Sequence, residues 1–154
     1  MSKTNFNFNW TYGLKLAEKW VEDHAIQIQR AAVVGSVLRQ EEECHDVDLL
    51  VIPKIGQTIM EAELPINLFI TDRDSWETAV MQYAPAVGST IGTRKKAKDM
   101  GYKLNQYGLF RKDDKYPISR SANKICQTIG ATISRWVVAS LSGEMNIWPK
   151  KETS

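Results

Sequence analysis

Cysteine is scarce in this 154-residue chain, with Cys44 and Cys126 the only two, so the fold cannot rest on a disulfide framework. One bridge is arithmetically allowed, but reduced thiols are the expectation for a cytoplasmic chain. Long hydrophobic runs are missing too. No apolar stretch reaches the roughly eighteen residues that a membrane-spanning helix needs. Residues 1–9 lack the basic-then-apolar order of a secretory signal. A cytoplasmic protein with no membrane partner is therefore expected. Five prolines and nine glycines are spread without an internal repeat or a low-complexity tract. Net charge is also small, at +2, which sets the chain apart from strongly basic proteins whose charge alone marks them as nucleic-acid binders.

What is present suits a soluble domain or two small lobes. Hydrophobic residues make up 43% and charged residues 25%, close to globular averages. Leu14, Ala17, Trp20 and Val21 share one face of a helix over Thr11–Asp23. Ala31–Val34 and Val47–Ile52 are short apolar runs closed by Gly35 and Pro53, so both read as buried strands. Pro65–Thr71 gives a third strand, and Asp72 or Asp74 caps a helix to about Tyr83 with Trp76, Ala79 and Val80 inward. Pro85 and Gly88 break the chain before a basic helix over Thr90–Met100, stopped by Gly101. Tyr102–Phe110 and Tyr116–Ile118 read as short strands around the turn Lys112–Lys115. Helices follow at Asn123–Ile129 and Thr132–Leu141, then a loose tail from Pro149, with Trp148 covering a groove or a dimer contact.

Chemistry concentrates in two segments. Val33-Val34-Gly35-Ser36 ends a strand and opens a helical turn, where backbone N–H groups and a hydroxyl meet an anion and glycine permits close approach. Arg39 follows one turn later with a guanidinium suited to a pair of phosphate oxygens. Asp46 comes eleven positions after Gly35, and Asp48 two after that. Alternate strand residues point the same way, so the two carboxylates project together about 7 Å apart along the chain. Hard oxygen donors this close favour Mg²⁺ or Mn²⁺ with a phosphate-bearing substrate. The basic run Arg94, Lys95, Lys96, Lys98 reads either as a solvated helix face or as a phosphate contact.

The arrangement G-S-x-x-R with D-x-D eleven residues after the glycine resembles the nucleotidyltransferase signature of polymerase beta and the family X DNA polymerases. Gly88-Ser89, Arg94, Ala97, Gly101 and Lys103–Phe110 are similar to the region joining that palm to its nucleotide-side lobe. Asn123–Gly130 resembles the closing helix of the lobe, and the likeness stops there. The resemblance implies an α+β fold: a mixed sheet with helices on one side, plus a small C-terminal αβ lobe. The corresponding division is a palm over 1–84 and a thumb-like lobe with an extra terminal helix over 85–154.

It further implies Asp46 and Asp48 as Mg²⁺ or Mn²⁺ ligands, with Gly35, Ser36 and Arg39 holding a nucleoside triphosphate. Gly88 and Ser89 fall near the sugar, and Arg94, Lys95 and Lys98 toward a DNA primer-template or DNA end. The implied reaction is attack of a 3′-hydroxyl on the α-phosphorus by a monomeric minimal enzyme, with pyrophosphate leaving.

The pattern departs from the family at several positions. Asn67 stands where a third catalytic aspartate is usual; an amide lends one oxygen but neither charge nor proton-accepting power. This leaves three alternatives: catalysis with altered metal use, nucleotide or DNA binding without turnover, or a deliberate replacement of aspartate. A small-molecule or protein nucleotidyltransferase is a further possibility on the shared motifs. His45 replaces a usual glycine near the phosphates and is a candidate phosphate contact. Leu38 replaces a basic residue, and the Ser89–Arg94 interval is about three residues short. Starting almost directly at the palm, the chain is also expected to grip duplex weakly and in a salt-dependent way.

Overall fold

The structure is a computed structural model and describes residues 6–58 and 62–150. Helix α1 (Trp10–Asp23) starts at Asn9, whose side chain accepts the Tyr12 N–H at 3.0 Å, and it buries Ala17 and Val21. A 3₁₀ turn, Ala25–Gln27, leads into β1 (Ile28–Val34), the short helix α2 (Gly35–Leu38), β2 (Val47–Pro53) and β3 (Ile66–Ile70). Strand β1 runs antiparallel to β2 with Val34 opposite Asp48, and β3 runs parallel to β2 with Asn67 opposite Asp48. The last strand of the described chain, β7 (Asn146–Trp148), pairs antiparallel with β1. The sheet order is β3-β2-β1-β7, a mixed sheet in an α+β fold.

Helices cover both faces of this sheet rather than one. The cause is the uninterrupted apolar run Ala31–Val34, which points alternate side chains to opposite sides and needs cover on each. Ala31, Val33, Leu49 and Val51 pack with Ala17 and Val21 of α1. Ala32, Val34, Leu50 and Ile52 pack with Trp76, Ala79 and Val80 of α3 (Trp76–Tyr83), Ile125 and Ile129 of α5 (Ala122–Ile129) and Val137 of α6 (Arg135–Leu141).

Between α3 and α5 lie α4 (Val87–Asp99) and a three-stranded antiparallel sheet of β4 (Tyr102–Asn105), β5 (Gly108–Arg111) and β6 (Pro117–Ser119). Fully buried Leu109 ties this sheet into the α3–α5 core.

Several boundaries differ from expectation. Gly88 does not break the chain but sits in the first turn of α4, which begins at Val87. The stretch Tyr102–Phe110 is two strands, because the Asn105 side chain accepts the Tyr107 N–H at 2.8 Å and turns the chain. The final helix starts at Arg135, three residues late, where Ser134 accepts the Trp136 N–H at 3.1 Å. Asn146–Trp148 is a strand, and Trp148 packs on the α1 side of the main sheet instead of covering an outer groove. Cys44 and Cys126 are buried free thiols. Among the described residues no helix is long and apolar enough to cross a membrane.

Candidate nucleotide and metal site

Asp46, Asp48 and Asn67 come together at one end of the main sheet. Asp48 shares its face of β2 with Leu50 and Ile52, and the parallel register sets Asn67 directly beside it. The Asn67 amide Nδ2 donates to Asp46 Oδ2 at 3.1 Å and to Asp48 Oδ1 at 3.2 Å. Two carboxylate acceptors require the nitrogen, not the oxygen, to point at them, so the amide bridges the acidic pair. Burial first, and the neighbouring Asp46 second, push the Asp48 carboxyl up from 3.8 to about 6; the Asn67 hydrogen bond and the charge of Arg39 oppose them.

Gly35 is the residue that lets this cluster meet the α2 turn. Its φ of +66° is left-handed, and a β-carbon there would overlap the Asp48 carboxylate. Any larger residue would displace either the turn or the acid. Ser36 follows, half-buried, at the start of the same turn.

Arg39 lies at the end of α2 with its guanidinium engaged. Nε and Nη2 contact Glu41 Oε2 at 3.0 and 2.9 Å, and Nη1 donates to the Ala84 carbonyl at 3.0 Å. It thus ties α2 to the end of α3. Glu41 is a site neighbour that motif reading passed over, although its position two residues after Arg39 was a usable signal. His45 is exposed and its Nδ1 lies 2.8 Å from the Phe6 carbonyl.

Gly88 and Ser89 are exposed in the first turn of α4, and Arg94 donates to Gln82 Oε1. Ser89 and Arg94 line a small cavity with Thr78, Asn105, Cys126 and Val137, whose lining includes neither carboxylate. Lys95 pairs with Asp99 at 3.3 Å, and Lys98 is exposed. The sugar-side and DNA-side candidates therefore group on α4, apart from the Asp46–Asp48–Asn67 cluster. A contact that sequence reading missed lies on β3 beside the carboxylate cluster. Tyr83 stacks on Phe69, two residues beyond Asn67, and donates to Gln106 Oε1 at 2.5 Å. Burial, and then Tyr107, push the Tyr83 phenol upward, with Arg94 opposing.

The donor set fits one hard divalent cation: two carboxylates plus an amide whose oxygen becomes available if the side chain turns. Among the described residues no third acidic, histidine or cysteine side chain joins them.

At the level of sequence, no protein-family model and no curated protein matches the chain. Solved structures do. The Leishmania infantum polymerase beta ternary P/T complex aligns over 85% of this chain and 76% of its own, with a TM-score of 0.64 at 15% identity. The ternary gap complex of the same polymerase aligns over 85% and 70%, with a TM-score of 0.64 at 14% identity. This chain has a polymerase beta-like α+β fold.

Proposed function

We propose that the protein is a metal-dependent nucleotidyltransferase that adds a deoxynucleoside monophosphate to a DNA 3′ end, in the manner of a minimal family X polymerase. The observation that carries this reading is the convergence of Asp46, Asp48 and Asn67 on the turn at Gly35, with no room for a β-carbon between them.

Asp46 and Asp48 would hold Mg²⁺ or Mn²⁺, which when bound supplies positive charge against the triphosphate and Lewis acidity at the reacting phosphorus. Gly35 and Ser36 offer backbone N–H groups and a hydroxyl to phosphate oxygens. Arg39, held by Glu41 and the Ala84 carbonyl, contributes a fixed positive charge at the same end of the sheet. Gly88 and Ser89 take the sugar side, and Arg94, Lys95 and Lys98 face DNA phosphates. Asn67 orients the acidic pair through its amide but cannot accept the proton of an attacking hydroxyl.

A second reading, a nucleotide- or DNA-binding relative without turnover, is favoured by that same amide. It gives the carboxylates N–H groups where a third acid would give charge. Primer extension in Mg²⁺ and in Mn²⁺ separates the two. The proposal expects extension by the unsubstituted chain that is abolished in Asp48→Ala. Extension only by Asn67→Asp would establish the silent reading instead.

A further inference from the structure

The β4–β5–β6 sheet has a core face and a solvent face. Tyr102, Leu104 and Leu109 pack inward. On the other face Lys103, Phe110 and Pro117 form one row, each opposite the next across the three strands. Lys103 is exposed, and Phe110 and Pro117 are half-buried. Gly108 continues this face: a β-carbon there would lie 2.9 Å from Pro117 Cβ and 3.5 Å from Arg120 Cγ. The exposed Arg120 is anchored by its Nε bond to the Tyr107 carbonyl at 3.3 Å. The result is an aromatic residue set between two cations on one sheet face, and none of the residues named on it is acidic.

Its surroundings are charged in the same sense. Residues 85–150 hold twelve Lys and Arg against four Asp and Glu, whereas residues 6–84 hold six against thirteen. Among the described residues only Lys95 and Lys150 of those twelve cations form ion pairs. The rest leave an uncompensated positive field that an anionic partner neutralises.

We propose that this outer sheet face binds unpaired DNA, with a base stacked on Phe110 and the flanking phosphates on Lys103 and Arg120. An aromatic ring can stack only on a base that is free of its own neighbours, so the partner is single-stranded rather than duplex. The face lies on elements separate from α4 and from Asp46, Asp48 and Asn67, and its binding needs no metal. It gives the chain a second grip on a strand, independent of nucleotidyl transfer.

Fluorescence anisotropy of a labelled oligothymidylate of about twenty nucleotides, with the full chain in chelator, tests this. Phe110→Ala should weaken binding on the order of tenfold, Phe110→Tyr should retain it, and hairpin-duplex affinity should not follow. Reversing both Lys103 and Arg120 to Glu should reduce the log–log salt slope by about 1.4. An oligonucleotide carrying 5-iodouracil should photocrosslink to the peptide containing Phe110. Circular dichroism identifies any variant that fails to fold, and Phe110→Tyr and the charge reversals then decide the matter. Unchanged affinity in Phe110→Ala and in the charge reversals, or equal loss of duplex binding, would overturn the proposal. Asp48→Ala should keep full oligothymidylate binding, so failure here is distinct from failure of the nucleotidyltransferase reading.

Discussion

Asn67 faces Asp48 across the parallel β2–β3 pair and donates to its carboxylate at 3.2 Å, while the same amide nitrogen reaches Asp46 at 3.1 Å. One neutral side chain thus holds together two acids that would otherwise repel. Its two hydrogen bonds offset part of that repulsion.

The amide only partly relieves Asp48, whose pKa is raised from 3.8 to about 6. A carboxyl with a raised folded pKa favours the native state below its unfolded pKa, and that advantage is lost as pH rises through about 6. Asp48→Asn should therefore stabilise the protein at pH 7.5 by on the order of 1–3 kcal/mol in chelator, with little gain at pH 4. Urea unfolding at the two pH values measures it.

Gly35→Ala places a β-carbon onto the Asp48 carboxylate at a left-handed φ of +66°. A loss of about 2–4 kcal/mol is expected from strain and displacement together, read by denaturant unfolding. Gly88→Ala, with open space around it, should change stability little.

Helix α5 begins against α3. The Ala122 N–H donates to Glu77 Oε1 at 3.0 Å, beside the Ser121 cap on Lys124. Glu77→Ala should cost on the order of 1 kcal/mol, and the loss should shrink in high salt if the negative charge at the helix start contributes. Thermal unfolding at low and high ionic strength checks both parts.

Much of the carboxylate site was legible in the sequence because its parts are local. The strand before Gly35, the apolar run carrying Asp48 and the third strand bearing Asn67 each follow from short-range periodicity, whereas Asp46 lies one residue before β2 and is joined to Asp48 through Asn67 rather than by strand alternation. The parallel register that sets Asn67 against Asp48 is consistent with that pattern. Non-local pairings were not legible. Strand β7 is three residues long, and only its pairing with β1 defines it. Arg39 reads as a free phosphate ligand until the fold brings the Ala84 carbonyl to it. Gly88 reads as a break, yet α4 begins before it. The Tyr83–Phe69 stack joins residues from β3 and α3 that no spacing rule connects.

The most direct test of the central claim is calorimetric titration of a non-hydrolysable deoxynucleoside triphosphate, with and without Mn²⁺, into the unsubstituted chain and into Asp46→Ala/Asp48→Ala. The account predicts binding that requires Mn²⁺ and weakens at least about tenfold in the double variant. Triphosphate affinity that is the same with and without the ion, and the same with and without the two acids, would contradict it.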